Sequence, residues 1–180
     1  MFLFLKKQSH NGMNYLLKSM DTFIYQSKFQ VPIERLFQFH EDPIGFETLM
    51  KANRGIQVIQ KPRSLHVGET AILKVPILPF LYTQWIAKHT KYEKNSLFQD
   101  SQEKGPFLKF IHTHRFIKVN EKESILSDEI DINFYLWPIS KYFLYPMLYF
   151  MFKKRHKLTA DYFTVKANLI FSGYSRTVIN

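Results

Sequence analysis

The sequence predicts a single α+β domain, and three observations predict it. One β-like segment near the start is followed at once by two short helices punctuated by prolines. A run of alternating segments joined by hairpin-sized polar connections fills the middle of the chain. The last third is helical by composition. A length of 180 residues suits one domain. The chain is 46% hydrophobic and 17% aromatic, enough burial to offset chain ordering and to exclude global disorder. Its 18 Phe and 10 Tyr exceed what a tight small core needs, so the surplus is expected to line a cavity or form an apolar surface.

The elements follow in order. Thr22 to Val31 alternates as a first strand. Pro32 stops that ladder and opens a helix with Ile33, Leu36, Phe37 and His40 on one stripe. Asp42-Pro43 marks a break before a second short helix, 44–50, anchored by Ile44, Leu49 and Met50. Gly55, Lys61-Pro62 and Gly68 bracket short strands at about 56–60 and 69–75. Pro76 and Pro79 make the apolar segment 75–81 an edge or a loop. Strands at 82–92, 96–100, 107–119 and 124–135 form an antiparallel meander, with Gly105-Pro106 as turn chemistry. Residues 139–168 are expected to be helical. The expected organisation is a poorly ordered tail over 1–20, with Met13 or Met20 as alternative starts, one domain over 21–170, and a C-terminal tail over 171–180.

Composition removes several function classes. With no cysteine there is no disulfide scaffold, thiol nucleophile, thiolate zinc site or iron–sulfur cluster. The same absence fits a reducing, cytoplasmic compartment. A formal charge of +10 favours anionic partners, although a solvated basic surface accounts for it equally. Met1 to Lys7 places its apolar residues before its charges, the reverse of a secretory signal. Residues 134–152 approach the length of a membrane span, but Pro138, Pro146 and the hydroxyls of Tyr142, Tyr145 and Tyr149 argue against one. The basic run 153–157 after it offers peripheral contact with an anionic membrane, or simply a solvated helix face. There is no glycine-rich phosphate loop and no Gly-x-Ser-x-Gly elbow. The aromatic-and-glycine sequence of single-strand RNA binders is also missing, so no nucleic-acid partner is expected.

Strand alternation locates the candidate site. Phe110, His112, His114 and Phe116 share one face of the strand 107–119. On the next strand Leu126, Asp128, Ile130 and Ile132 share a face. A turn centred near Glu121 pairs residues whose numbers sum to 242, which places His114 opposite Asp128 and His112 opposite Ile130; sums of 240 or 244 keep the same faces together and break this pairing. A facing imidazole and carboxylate in an apolar pocket form a coupled pair. Three readings remain open: neutralisation of a buried histidine, orientation of a ligand, or proton transfer. Trp85 lies on the side of Ala87 and His89, as core or as a cavity wall. A pairing sum of 208 on the preceding hairpin sets Phe98 opposite Phe110 and Asp100 opposite Leu108. No metal site is expected, because His112, His114 and Asp128 have no further histidine predictably close.

The series Phe98-Gln99-Asp100, Gly105-Pro106-Phe107 and His112-Thr113-His114-Arg115-Phe116 resembles the START-like or SRPBCC superfamily. It is most similar to the bacterial branch of ligand-binding or cell-division-inhibitor-like proteins. Gln30 to Phe39, Trp85-Ile86, Ser127-Asp128 and Phe152 to His156 fall where that family places them, over about 22–165. The resemblance implies a helix-grip fold: a curved antiparallel sheet wrapped around a long C-terminal helix, with two short helices after the first strand and a hydrophobic cavity between. The superfamily includes lipid carriers, hormone and steroid binders, polyketide cyclases and quinone-binding chaperones. The aromatic richness of 134–152 and the extra residues 1–20 depart from its pattern.

The function expected on these grounds is binding, and with it transport, of a hydrophobic small molecule or lipid. Its cavity would be lined by Trp85, Phe98, Phe110, Phe116 and Ile130, with His112, His114 and Asp128 orienting the ligand. No cofactor is expected. Alternatives are a cyclase or dehydratase using His114 and Asp128 as acid and base, and a peripheral membrane protein handling quinone or lipid.

Overall fold

The computed structural model describes residues 20–52, 55–78 and 80–177. The expected tail over 1–20 lies outside these residues except for Met20. The chain runs β1 (Met20–Phe29), α1 (Ile33–Glu41), α2 (Pro43–Met50), β2 (Gln57–Gln60), β3 (Thr70–Leu78) and β4 (Leu81–Glu93). It continues through β5 (Leu97–Lys104), β6 (Lys109–Lys118), β7 (Ser124–Asn133), α3 (Ser140–Phe163) and β8 (Ala167–Thr177). The eight strands form one antiparallel sheet in the order β2-β3-β4-β5-β6-β7-β1-β8. This is the expected α+β helix-grip architecture, a curved sheet around a long helix.

Local chemistry sets the helices. Pro32 precedes α1, whose Ile33, Leu36, Phe37 and His40 are buried as their spacing requires. The Asp42 side chain accepts from the Ile44 amide at 2.8 Å and caps α2, with Pro43 at its first position. Gly45 lies so close to α1 that an added Cβ would sit 1.6 Å from the Phe39 carbonyl oxygen. That contact turns α2 so that Leu49 is buried and Ile44 faces solvent, 58% exposed, which corrects Ile44 as an anchor. Along α3, Leu144, Leu148, Phe152, His156 and Ala160 recur every four residues and are all buried against the sheet. Burial on that stripe carries the helix through Pro146, where one backbone hydrogen bond is missing.

Two expectations about the ends of elements are corrected. β3 runs through Pro76 to Leu78, with a register shift there and with no β2 residue opposite Pro76, where the missing N–H costs nothing. Residues 171–177, expected as a tail, belong to β8, and the helix expected to 168 stops at Phe163 on a left-handed Thr164. β8 pairs with the outer edge of β1 from Met20↔Thr177 to Phe29↔Ala167. Its own sequence alternates poorly; the free edge of β1 selects the strand state.

The core has two apolar clusters. One gathers Phe29, Leu36, Phe37, Phe98, Phe116, Leu126 and Ala160 beneath α1. The other gathers Phe23, Tyr25, Phe110, Ile130, Ile132, Leu144, Leu148 and Phe152 beneath α3. Four elements cross from one to the other, and each carries buried polar residues at the crossing: Ser27 on β1, His112 and His114 on β6, Asp128 on β7, His156 on α3.

Candidate functional site

Strand pairing assembles the polar residues. In the β6–β7 ladder His114 pairs with Asp128 and His112 with Ile130, the register expected from the turn. The β5–β6 ladder is corrected: Phe98 pairs with His114 and Asp100 with His112, a sum of 212 instead of 208. β5 continues to Lys104, and Gln102 donates from its amide to the Phe107 carbonyl at 2.8 Å across the turn, so the hairpin centres on Pro106. Two rows therefore cross the sheet. One reads His89, Asp100, His112, Ile130; the next reads Tyr92, Phe98, His114, Asp128, Tyr25.

Asp128 is the hub. It is 1% exposed. His112 Nε2 donates to its Oδ1 at 2.8 Å and His156 Nε2 donates to its Oδ2 at 2.8 Å. His114 Nδ1 lies 2.9 Å from Oδ1 but off the line of a straight hydrogen bond. Burial works to raise the Asp128 carboxyl, yet the three imidazoles outweigh it and hold the group well below the usual carboxylate range. On the other side of the histidines, Asp100 Oδ2 lies 3.8 Å from His112 Nδ1 and 3.6 Å from His114 Nε2. The two rings are 3.7 Å apart between centroids, and His114 stacks on Phe98 at 4.0 Å.

These neighbours split the histidines. Burial, then the adjacent His114, push His112 down to about 4 against the pull of Asp128 and Asp100. His114 is buried too, but its contacts with Asp100 and Asp128 raise it above the ordinary histidine value. His40 on α1 donates from Nδ1 to the Leu36 carbonyl at 2.8 Å, and burial together with His114 lowers it to about 3. Burial also lowers His89. Despite its burial, the Asp100 carboxyl is lowered by His114 and His112.

A cavity of about 170 Å³ lies against this cluster. Trp85, Phe98, Phe110, His112 and His114 are in its wall as expected, with Trp85 packed edge-on to Phe107 and Phe110. Phe116 and Ile130 are not; Phe116 points into the cluster under α1, and Ile130 is covered by α3. Asp128 stands one layer behind the wall, screened by its histidines. His40, His89, Asp100 and Arg155 complete the polar wall, while Leu49, Met50, Ala71, Val75 and Ala87 supply much of the apolar side. The Arg155 Nε is buried without a hydrogen-bond partner.

The last part of the site was missed where it was read as surface. His156 and Arg155 belong to the basic run 153–157, expected to face headgroups or water, but His156 is 1% exposed and Arg155 reaches the cavity. Extending the four-residue stripe from Leu148 through Phe152 leads to His156. Centring the turn on Gly105-Pro106 leads to Asp100. Among the described residues no helix is long and apolar enough to cross a membrane.

No family model matches the sequence, and no curated protein matches it. Solved structures do match. A START superfamily protein from Mycobacterium smegmatis aligns with TM-score 0.59 at 14% identity, covering 79% of this chain and 99% of that one. A conserved protein from Geobacillus kaustophilus gives TM-score 0.57 at 11% identity, over 83% of this chain and 99% of that one. A norcoclaurine synthase point mutant from Thalictrum flavum, in complex with a transition-state analogue, gives TM-score 0.57 at 11% identity, over 80% and 97%. With the strand order, the paired short helices and the long gripped helix, these likenesses establish that the chain has the START-like, SRPBCC helix-grip fold.

Proposed function

We propose that the protein binds a compact hydrophobic molecule in the cavity between sheet and α3, with the polar end of the guest directed at Arg155 and the histidines. The observation that carries this reading is the wall itself. One side is apolar, and the other presents a guanidinium nitrogen buried without a partner beside four imidazoles. An unpaired buried donor is costly, and a guest carboxylate or carbonyl satisfies it. A volume of about 170 Å³ suits one ring or the end of an acyl chain more than a whole lipid. Calorimetric titration with aromatic carboxylic acids and medium-chain fatty acids tests it. Binding that weakens at least about tenfold in Arg155→Met, and vanishes in Ala87→Leu with the fold retained, supports the reading. Absence of binding to every probe, with no co-purifying molecule in the native mass spectrum, overturns it.

A second reading is peripheral contact with anionic lipid, and the outer face of α3 favours it. Tyr142, Phe143, Met147 and Phe150 are 73, 77, 48 and 64% exposed, on the side away from the Leu144–Leu148–Phe152 stripe. Lys153 and Lys157 continue that face as cations. Co-sedimentation with phosphatidylserine vesicles that falls with salt is the expected result; equal binding to neutral vesicles counts against it. Acid–base chemistry has one supporting observation: His112 lowered and His114 raised side by side on the cavity wall. His114→Gln would then abolish turnover of a carbonyl substrate and spare its binding.

A further inference from the structure

The tie between Asp128 and its histidines fixes more than their positions. An ionised carboxylate only accepts, so His112 Nε2 must be the N–H form against it, and a lone pair on His114 Nδ1 would face a carboxylate oxygen at 2.9 Å. Each neutral imidazole has one N–H. When both rings are neutral with their N–H turned to Asp128, the nitrogens on the far side, His112 Nδ1 and His114 Nε2, carry the lone pairs a metal ion needs, and metal binding selects that form. Both face Asp100 Oδ2, at 3.8 and 3.6 Å. In that form three electron-pair donors converge on the cavity wall, beyond hydrogen-bond distance of one another across the Asp100 contacts. One ligand atom from each residue lies within 4.8 Å of the others.

Such a gap fits a cation better than a hydrogen bond. Around one first-row ion at bond lengths of about 2.1 Å, neighbouring donor atoms sit about 3.0–3.6 Å apart. Two imidazoles and one carboxylate suit a transition metal, whereas calcium and magnesium prefer oxygen sets. Asp128 then fills the role that carboxylates take behind metal-bound histidines, holding tautomer and ring orientation. We propose that His112, His114 and Asp100 form a binding site for one divalent transition-metal ion. The three ligands sit on two adjacent strands and share one wall, so the remaining coordination positions of the ion open toward the cavity, within reach of the polar end of a guest. No metal site was expected on sequence, where Asp128 was the third group considered beside the two histidines; the actual β5–β6 register brings Asp100 to them instead.

The test does not depend on the ligand reading. Tag-free full-length protein, stripped with chelator, is titrated with Co²⁺ and followed by visible absorption and calorimetry, then challenged with Zn²⁺. One Co²⁺ per chain, displaced by Zn²⁺ and weakened at least about 100-fold in Asp100→Asn and His112→Gln, is the expected result. Asp100 is the more accessible ligand, at the edge of the cluster, and a circular dichroism spectrum and melting curve of Asp100→Asn confirm its fold. His66→Gln, at an exposed histidine outside the cavity wall, should bind as wild type. Absence of Co²⁺ and Zn²⁺ binding at micromolar concentration overturns the proposal. So does undiminished binding by folded Asp100→Asn.

Discussion

Asp128 on β7 and His156 on α3 stand 28 positions apart and are joined by a 2.8 Å hydrogen bond with both groups about 1% exposed. This is a fully buried polar tie between the sheet and the helix it grips; Lys141 to Asp21 and Tyr174 to the Lys141 carbonyl are others. The same carboxylate holds His112, so one side chain fastens three elements.

Replacing Asp128 by Ala should therefore cost far more than replacing either imidazole. It leaves three buried imidazoles without their common partner, a loss of about 3–5 kcal/mol. His156→Phe, among Tyr25 and Phe29, should cost about 1–2 kcal/mol. Urea unfolding of the two variants measures both; equal losses would mean that Asp128 does not hold the β6 histidines.

The metal-free protein should lose stability on acidification. His40 and His112 titrate at about 3 and 4 in the fold, below the usual histidine value of 6.5. Above pH 6.5 both are neutral whether folded or not. Below it the unfolded chain takes up protons first, so stability falls by up to about 1.4 kcal/mol per pH unit per group until the folded values are reached. Asp128, lowered, adds a loss as pH drops through the carboxylate range. His114, raised, works the other way, stabilising the fold at low pH. Three lowered histidines, His89 included, outnumber it. Unfolding curves from pH 7 to 4 should show the decline, and His40→Gln should make it shallower.

Gly45→Ala should destabilise the protein by about 1–3 kcal/mol, since its Cβ would meet backbone oxygen and no side chain could yield. The α1–α2 corner must then open, and Phe46, Leu49 and Met50 of the cavity wall shift with it. A melting curve gives the first effect and weakened guest binding the second. A variant with unchanged stability would show that the corner is not tight.

Ending the chain after Lys166 removes β8 and leaves β1 as an open edge. Phe23 loses its edge contact with Tyr174 at 5.7 Å. The truncated protein should melt lower and aggregate, as bare sheet edges do. Light scattering during a thermal ramp checks this; a monodisperse, equally stable product would contradict it.

Much of this was legible in the sequence because it is local. Proline and aspartate set α1 and α2, alternation set the faces of β6 and β7, and a short turn at Glu121 set the pair His114–Asp128. The rest depended on distance along the chain. Asp100 was placed on the right face but four register units away, because turn length moves a partner without changing its side. His156 and Arg155 carry charge or polarity that looks like surface when the partner across the core is unknown. β8 has too weak a pattern to announce itself, and only the exposed margin of β1 explains it. Cavity volume follows from how aromatics interlock, which composition does not encode.

The pairing of Met20 with Thr177 brings the first and last described residues to neighbouring positions on adjoining strands. Residues 20–177, joined by a few glycines, could be closed into a ring there, and new ends could be cut at the Asn120–Lys122 hairpin without disturbing helix or cavity wall. Such a rearranged molecule would keep every wall residue while moving the free ends to a turn outside the cavity wall.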